Sequence, residues 1–298
     1  MIYLPLLSFI LSFKLTRFII NKFRDVKFGY DLHKKDKVRV PEMCGLAPVL
    51  SSSLFISILN PIYSVVILST SIIGVLDDIA KLSPKEKMFL LFILAIIIGL
   101  AFYKLEGLSL TLLIILIFLY PIFSNLTNML AGFNGLEAGL AFLSSFFLSI
   151  IFLLSNNFNA FLITLTFSTS YLAFLYFNKY PAKAFPGDCG TLPIGAFLVS
   201  IAIVNKALTY LFIIMLPYFI DASLKYISAG VMSRDQHKPT VLGEDNRLYY
   251  KGGYLSLPRL ILKYKPMNEK DIVLTIWLIE VIFGLLSILI TILIKVFL

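Results

Sequence analysis

NLTNMLAGFNGLEAG, Asn125 to Gly139, places three asparagines, three glycines and a glutamate between two long apolar segments. No helix at the middle of a bilayer tolerates that composition, because each amide needs a partner that hydrocarbon does not supply. The stretch therefore reads as a polar floor at a membrane surface, with the other polar loops laid out around it.

The rest of the chain fits a membrane setting. Of 298 residues, 59% are hydrophobic and 14% charged, where a soluble domain carries about a quarter charged residues. Apolar runs of about 20 residues recur from end to end. The expected fold class is an all-α polytopic membrane protein, a single domain over residues 1–298, with about ten transmembrane helices. The spans fall roughly at 2–20, 44–59, 62–77, 87–104, 108–124, 136–154, 158–177, 190–205, 207–230 and 272–296. Pro61 and Pro217 break or kink what are otherwise continuous runs. Ile2–Phe13 is apolar, but its positive charges (Lys14, Arg17) follow it, so no cleaved signal peptide is expected. Cys44 and Cys189 stand alone, without the spacing of a zinc site or a disulfide framework.

Basic residues set the orientation. The first loop holds seven, the third three, the seventh two and the ninth eight; the opposite side has only Lys104, Lys206 and Lys295. Twenty against three puts the odd loops in the cytoplasm and both termini outside. The +9 charge thus serves orientation and anionic partners, and no nucleic-acid partner is expected. Every polar-rich loop is an odd one, so the cytoplasmic loops, about 21–43, 78–86, 125–135, 178–189 and 231–271, gather on one face as the active site. A transporter more often places its polar groups near the bilayer midplane.

Each loop offers candidates. In GYDLHKKDKVRVPEMCG (Gly29–Gly45) the lysines read as a positive anchor, while Glu42, an acid at the mouth of a span, reads as a site residue. Asp77 and Asp78 close an apolar span, where adjacent carboxylates repel each other and ask for a cation. Capping a helix end is the plain alternative, but the dipole disfavours acids at a helix C-terminus. Lys87 begins the next span. Asn125 and Asn128, three apart, share one helix face. Asn134 and Glu137 have the spacing of an N-cap and its N3 acid, and the glycines beside them allow a ligand close to the backbone. Carboxamides suit metal oxygens or a nucleobase edge. AFPGDCGT (Ala184–Thr191) presents Asp188 before the next span, as an N-cap or a site acid, with Gly190 and Thr191 offering N–H groups to phosphate. In the ninth loop, Arg234, His237 and Lys238 form a solvated basic run or a cationic cap over an anionic sugar nucleotide; a polar hairpin-like run follows, Gly243 to Gly253. Acids for Mg²⁺, cations for phosphates and carboxamides for a base, on one face, describe phosphoryl transfer.

These loops resemble the polyprenyl-phosphate N-acetylhexosamine-1-phosphate transferase superfamily, and within it the eukaryotic and archaeal UDP-GlcNAc–dolichyl-phosphate GlcNAc-1-phosphate transferases. The resemblance runs through the chain in order: Pro41-Glu42 with Gly45, Asp77-Asp78 with Lys87 nine residues on, NxxNxxxGxNGLEAG from Asn125, FxGD at Phe185–Asp188, and a basic ninth loop. It implies UDP-GlcNAc and dolichyl or polyprenyl phosphate as substrates and Mg²⁺ as cofactor, with Mn²⁺ as a substitute. It implies Asn128 and Asp188 as metal ligands, Asn134 as partner of the uracil, Lys87 on the phosphates, Asp77 and Asp78 near the acceptor phosphate, Asn125 as a site-shaping residue and Glu42 at the nucleotide pocket. Membrane lipids are expected neighbours and a homodimer an admissible assembly. The ninth loop departs from the family: an Arg-His-Arg cluster is usual, whereas Arg234 precedes His237-Lys238 here, and lysine lacks the guanidinium fork. The absence of a His-rich run argues against a UDP-MurNAc-pentapeptide donor, and the short loop suits an archaeal source. The competing expectation from a different class is a flippase or transporter, for which Asp221, Lys225 and Glu280 are the mid-membrane candidates; another UDP-HexNAc donor is the competing expectation within the enzyme class.

Overall fold

The computed structural model describes residues 1–36, 38–231 and 240–297. In chain order the helices and strands are α1 (Leu4–Phe23), β1 (Phe28–Asp31), β2 (Val38–Pro41), α2 (Leu46–Ile56), α3 (Pro61–Ala80), α4 (Pro84–Leu105), α5 (Leu110–Met129), α6 (Leu136–Leu154), α7 (Phe158–Asn178), α8 (Asp188–Val204), α9 (Leu208–Ile214), α10 (Leu216–Ala229), β3 (Val241–Leu242), β4 (Leu248–Tyr249), α11 (Leu257–Tyr264) and α12 (Glu269–Phe297). Every expected span is helical. Among the described residues, seven helices are long and apolar enough to cross a membrane, and the α9–α10 pair, bent by 65° at a break that Pro217 follows, makes an eighth. The 11-residue α2 and 17-residue α8 rise only about 16 and 26 Å, less than the ~30 Å of hydrocarbon. Ten crossings is therefore more than the helix lengths confirm.

The sequence dictates where these helices start. Asn60, Ser83, Ser109 and Asn157 each accept a hydrogen bond from a first-turn N–H, and Ser83 and Glu86 complete a capping box. Pro61 and Pro84 sit in first turns, where the missing N–H costs nothing. Inside the spans, hydroxyls bond back one turn, as Ser51 does to the Ala47 carbonyl and Thr70 to that of Val66, both at 2.7 Å.

α8 is the hub. It is apolar on all faces, buried along nearly its whole length, and packed against α3 on one side and α5 on the other. Small residues set these approaches. A Cβ on Gly195 would run into the backbone of Phe123 and Ser124, and one on Gly74 would run into Asp188 and Cys189. Backbone cannot yield as a side-chain tip does. Gly195→Ala should therefore push α5 from α8 and cost about 3 kcal/mol, the upper part of the overpacking range. The check is thermal unfolding in detergent, and an unchanged midpoint would show that the helices are not in contact there.

Several features differ from expectation or go beyond it. The quoted stretch is not one continuous loop: Asn125–Met129 completes α5, so only residues 130–135 connect it to α6. Asn134 is not an N-cap; Gly135 holds that position with φ +93°, and the Glu137 carboxylate instead accepts the Gly132 N–H at 2.8 Å. Gly139 admits the Trp277 indole of α12 rather than a ligand. The first loop is partly ordered as an antiparallel hairpin, Phe28 opposite Pro41 and Asp31 opposite Val38. The ninth contains β3 paired with β4, the first just before the hairpin-like run and the second inside it, and an unforeseen amphipathic α11. Glu280, which had no assigned role, is buried in α12 and accepts the Ser144 hydroxyl of α6.

Candidate active site

One cavity of about 540 Å³ is lined by all five odd connections: Asp31 and Glu42 from the first, Asp77 and Lys87 flanking the third, Asn128 and Asn134 from the fifth, Asp188 from the seventh, and Arg259 and Glu269 from the ninth. Its two ends carry different chemistry.

At one end stand two acids and a cation. The ammonium of Lys87, in the first turn of α4, lies 2.5 Å from Asp77 Oδ2 and 2.6 Å from Asp188 Oδ2. Asp77 is in the last turn of α3 and Asp188 opens α8, so three helix ends meet at one point. Beside them Asn128 Nδ2 donates to Thr191 Oγ1 at 3.1 Å. One amide hydrogen of Asn128 is thereby engaged by protein, and its oxygen accepts no hydrogen bond from the described residues. Asn125 lines the same wall, its amide donating to Met129 Sδ at 3.2 Å.

Asp78 faces the other way. It is buried and accepts the N–H groups of Asp188 at 2.9 Å and Cys189 at 3.0 Å. Those are orphan donors at the start of α8, so Asp78 caps a helix from outside its own chain segment. It does not line the cavity, and the N–H groups of Gly190 and Thr191 go to the Gly187 carbonyl rather than to open space. Gly187 precedes α8 with φ +68°, and a Cβ there would meet Asp78 Oδ2 at 2.6 Å.

The turn before α8 is pinned to the first loop. Phe185 N–H donates to Pro41 O at 2.8 Å, and Cys44 and Gly45 donate to Phe185 O and Pro186 O at 3.0 Å. This fixes Glu42, paired with Lys27 at 3.5 Å, on the cavity wall. Cys44 is buried behind it; burial pushes its thiol up to about 12, with the Glu42 charge adding to the effect.

At the other end Asn134 sits between two buried carboxylates. Its Nδ2 is 2.8 Å from Asp31 Oδ2 and 3.4 Å from Glu269 Oε2, and its backbone N–H donates to Glu269 Oε1 at 2.8 Å. Lys34 balances the pair from 3.8 and 3.6 Å, with its ammonium over the Tyr180 ring. His33 reaches Glu269 at 3.4 Å and Thr240 at 3.0 Å and stacks on Phe133.

A match to Glycosyl transferase family 4 covers residues 60–206, from the cap of α3 to the end of α8. A Methanocaldococcus jannaschii protein, named provisionally as a glycosyltransferase, is 57% identical over 96% of this chain and 95% of its own. The chain belongs to glycosyl transferase family 4. A Saccharolobus solfataricus relative, named provisionally as a UDP-N-acetylglucosamine–dolichyl-phosphate N-acetylglucosaminephosphotransferase, is 32% identical over 96% of each chain. A phospho-N-acetylmuramoyl-pentapeptide-transferase of a Nitratiruptor species is 26% identical over 94% of this chain and 92% of its own. Membership and the apolar helices make this a multi-pass membrane transferase of family 4.

The matched region holds Asp77, Asp78, Lys87, Asn125, Asn128, Asn134 and Asp188. All of these except Asp78 line one cavity, and Glu42, outside the match, lines it too. Arg234, His237 and Lys238 lie outside the described residues. Asp31, His33 and Glu269 were not foreseen. Asp31 lies inside GYDLHKKD, a stretch whose lysines alone carry a reading, and Glu269, 135 residues beyond Asn134, has no spacing signal.

Two groups fit a metal ion of the kind the family implies. Asp77 and Asp188 already hold a positive charge between them, and the Asn128 oxygen adds a hard neutral donor, a set suited to Mg²⁺. Ligand atoms of Asp31, His33 and Glu269 also lie within 4.8 Å of one another. There Lys34 and Asn134 engage the carboxylates, as Lys87 engages Asp77 and Asp188 in the first group.

Proposed function

We propose that this family 4 transferase moves N-acetylglucosamine 1-phosphate from UDP-GlcNAc to dolichyl or another polyprenyl phosphate at the cytoplasmic face of the cell membrane. The products are the lipid-linked GlcNAc diphosphate and UMP. The observation that carries this reading is one cavity with a cation-binding acid pair and a lysine at one end and a fixed carboxamide at the other. That layout suits a diphosphate joined to a base. The name of the Saccharolobus relative supports this donor and acceptor, and that of the Nitratiruptor relative supports transfer of a sugar phosphate.

An oxygen of the lipid phosphate attacks the β-phosphorus of the donor. The bond from that phosphorus to the oxygen bridging the α-phosphorus breaks, and its electron pair leaves on UMP. Asn128 and Asp188 would hold Mg²⁺, or Mn²⁺ in its place, which when bound neutralises charge on the diphosphate. Lys87 supplies a second positive charge at the same place. A phosphomonoester has its second pKa at about 6, so the acceptor is largely dianionic at neutral pH without a base. Asp77 then orients the acceptor through the Lys87 ammonium it touches rather than deprotonating it. Glu42 and Asn134 address the nucleoside.

A transporter gains no support from the mid-membrane acids. Asp221 pairs with Lys225 at 2.8 Å and accepts the Leu257 N–H of α11, and Glu280 is bonded to Ser144.

The test is UMP release by purified protein from UDP-GlcNAc, with and without polyprenyl phosphate, and with Mg²⁺ or EDTA. The expected result is UMP only when both lipid and divalent cation are present. Release without lipid, or undiminished in EDTA, would count against the proposal.

A further inference from the structure

The orientation of one amide is dictated by its surroundings. Asparagine can turn by 180° and exchange its donor for its acceptor, and a lone asparagine on a cavity wall can therefore face a ligand with either. Asn134 has no such choice. Its side chain lies between Asp31 Oδ2 at 2.8 Å and Glu269 Oε2 at 3.4 Å, and ionised carboxylates only accept. Both acids are 4% exposed and held in place: Asp31 accepts the His33 N–H at 3.1 Å, and Glu269 accepts the Asn134 N–H at 2.8 Å. Turning the amide would set its oxygen against two buried negative charges. Both amide hydrogens are thus committed to protein, and the oxygen, which has no donor among the described residues, is what Asn134 offers the cavity it lines.

We infer that Asp31 and Glu269 are positioning residues that lock Asn134 as a pure acceptor, and that this lock selects a base presenting a ring N–H. Uracil carries N3–H at that edge and cytosine a lone pair, so the same oxygen that attracts the first repels the second. The inference rests on the nucleotide-sugar reading of this cavity and assigns the base choice to three residues, of which only Asn134 touches the ligand. It also accounts for two buried acids at the cavity end away from the cation-binding pair.

The test is the ratio of UDP to CDP affinity, measured by calorimetry on the full chain in detergent, for wild type, Asp31→Asn and the Asp31→Asn/Glu269→Gln double variant. The replacements keep shape but bring their own donors, so the amide of residue 134 is free to turn. Wild type should prefer UDP by about 10–100-fold, the worth of one good hydrogen bond against one repulsive contact. The preference should fall by at least about tenfold in the double variant, mainly through tighter CDP binding, with a smaller fall in Asp31→Asn. A merely structural role would weaken both nucleotides together and leave the ratio alone. Variants that bind UDP with the wild-type ratio overturn the lock while leaving the donor reading intact. Wild-type protein that binds neither nucleotide overturns both.

Discussion

Asp188→Ala should lower lipid-dependent UMP release by at least about 10³-fold, at the upper end of what a single charge-stabilising group contributes. The protein should remain folded. What ties the start of α8 to α3 is the backbone N–H of residue 188, which bonds Asp78, and alanine retains it. The side chain is spent on the cavity, where it meets Lys87 at 2.6 Å. Its removal leaves Lys87 still paired with Asp77. Asp188→Asn keeps one oxygen on the same atoms and should fall between alanine and wild type. The paired readout is UMP release and the unfolding midpoint; a variant within tenfold of wild-type turnover would remove Asp188 from the site.

Asp78→Ala should produce the opposite pattern, a loss of stability first. Its carboxylate is the acceptor for two buried N–H groups, and stranding each costs about 1–3 kcal/mol. The total, roughly 2–6 kcal/mol, is a large part of the 5–15 kcal/mol that holds a domain together. Asp78→Asn retains one acceptor oxygen and should lose about half as much. Activity should fall with the fold, because α8 carries Asp188 into the cavity. Asp77→Asn, one residue away, should lower turnover with a smaller change of midpoint, since the Asp77 carboxylate meets the Lys87 side chain. An Asp78→Ala protein that melts with wild type would show that the start of α8 is held by something else.

That division of labour between neighbours was not legible in the sequence. Asp77-Asp78 read as a pair asking for one cation because both sit at the end of one span. On a helix, adjacent residues point about 100° apart, so one met the cavity and the other met α8. The spans themselves were legible, because hydrophobic runs of membrane length need no partner to be recognised. Their crossings were less so: α2 and α8 are apolar enough to read as spans but are shorter than the hydrocarbon is thick. Lys87, Asn128 and Asp188 stand out in the sequence because each lies at the mouth of an apolar segment, where a polar residue is conspicuous. Asp31 and Glu269 were missed for the converse reason. They lie in loops already rich in charge, and only the fold brings them to Asn134 from 103 and 135 residues away.

The central claim is which bond breaks, and UDP-GlcNAc labelled with ³²P in the β-phosphate reports it directly. Incubated with this protein, Mg²⁺ and polyprenyl phosphate, the label should move into the lipid extract in step with unlabelled UMP, because the sugar travels with its phosphate. Label retained as UDP while the sugar appears on lipid would mean that the sugar–phosphate bond is the one cleaved. That result would contradict the account.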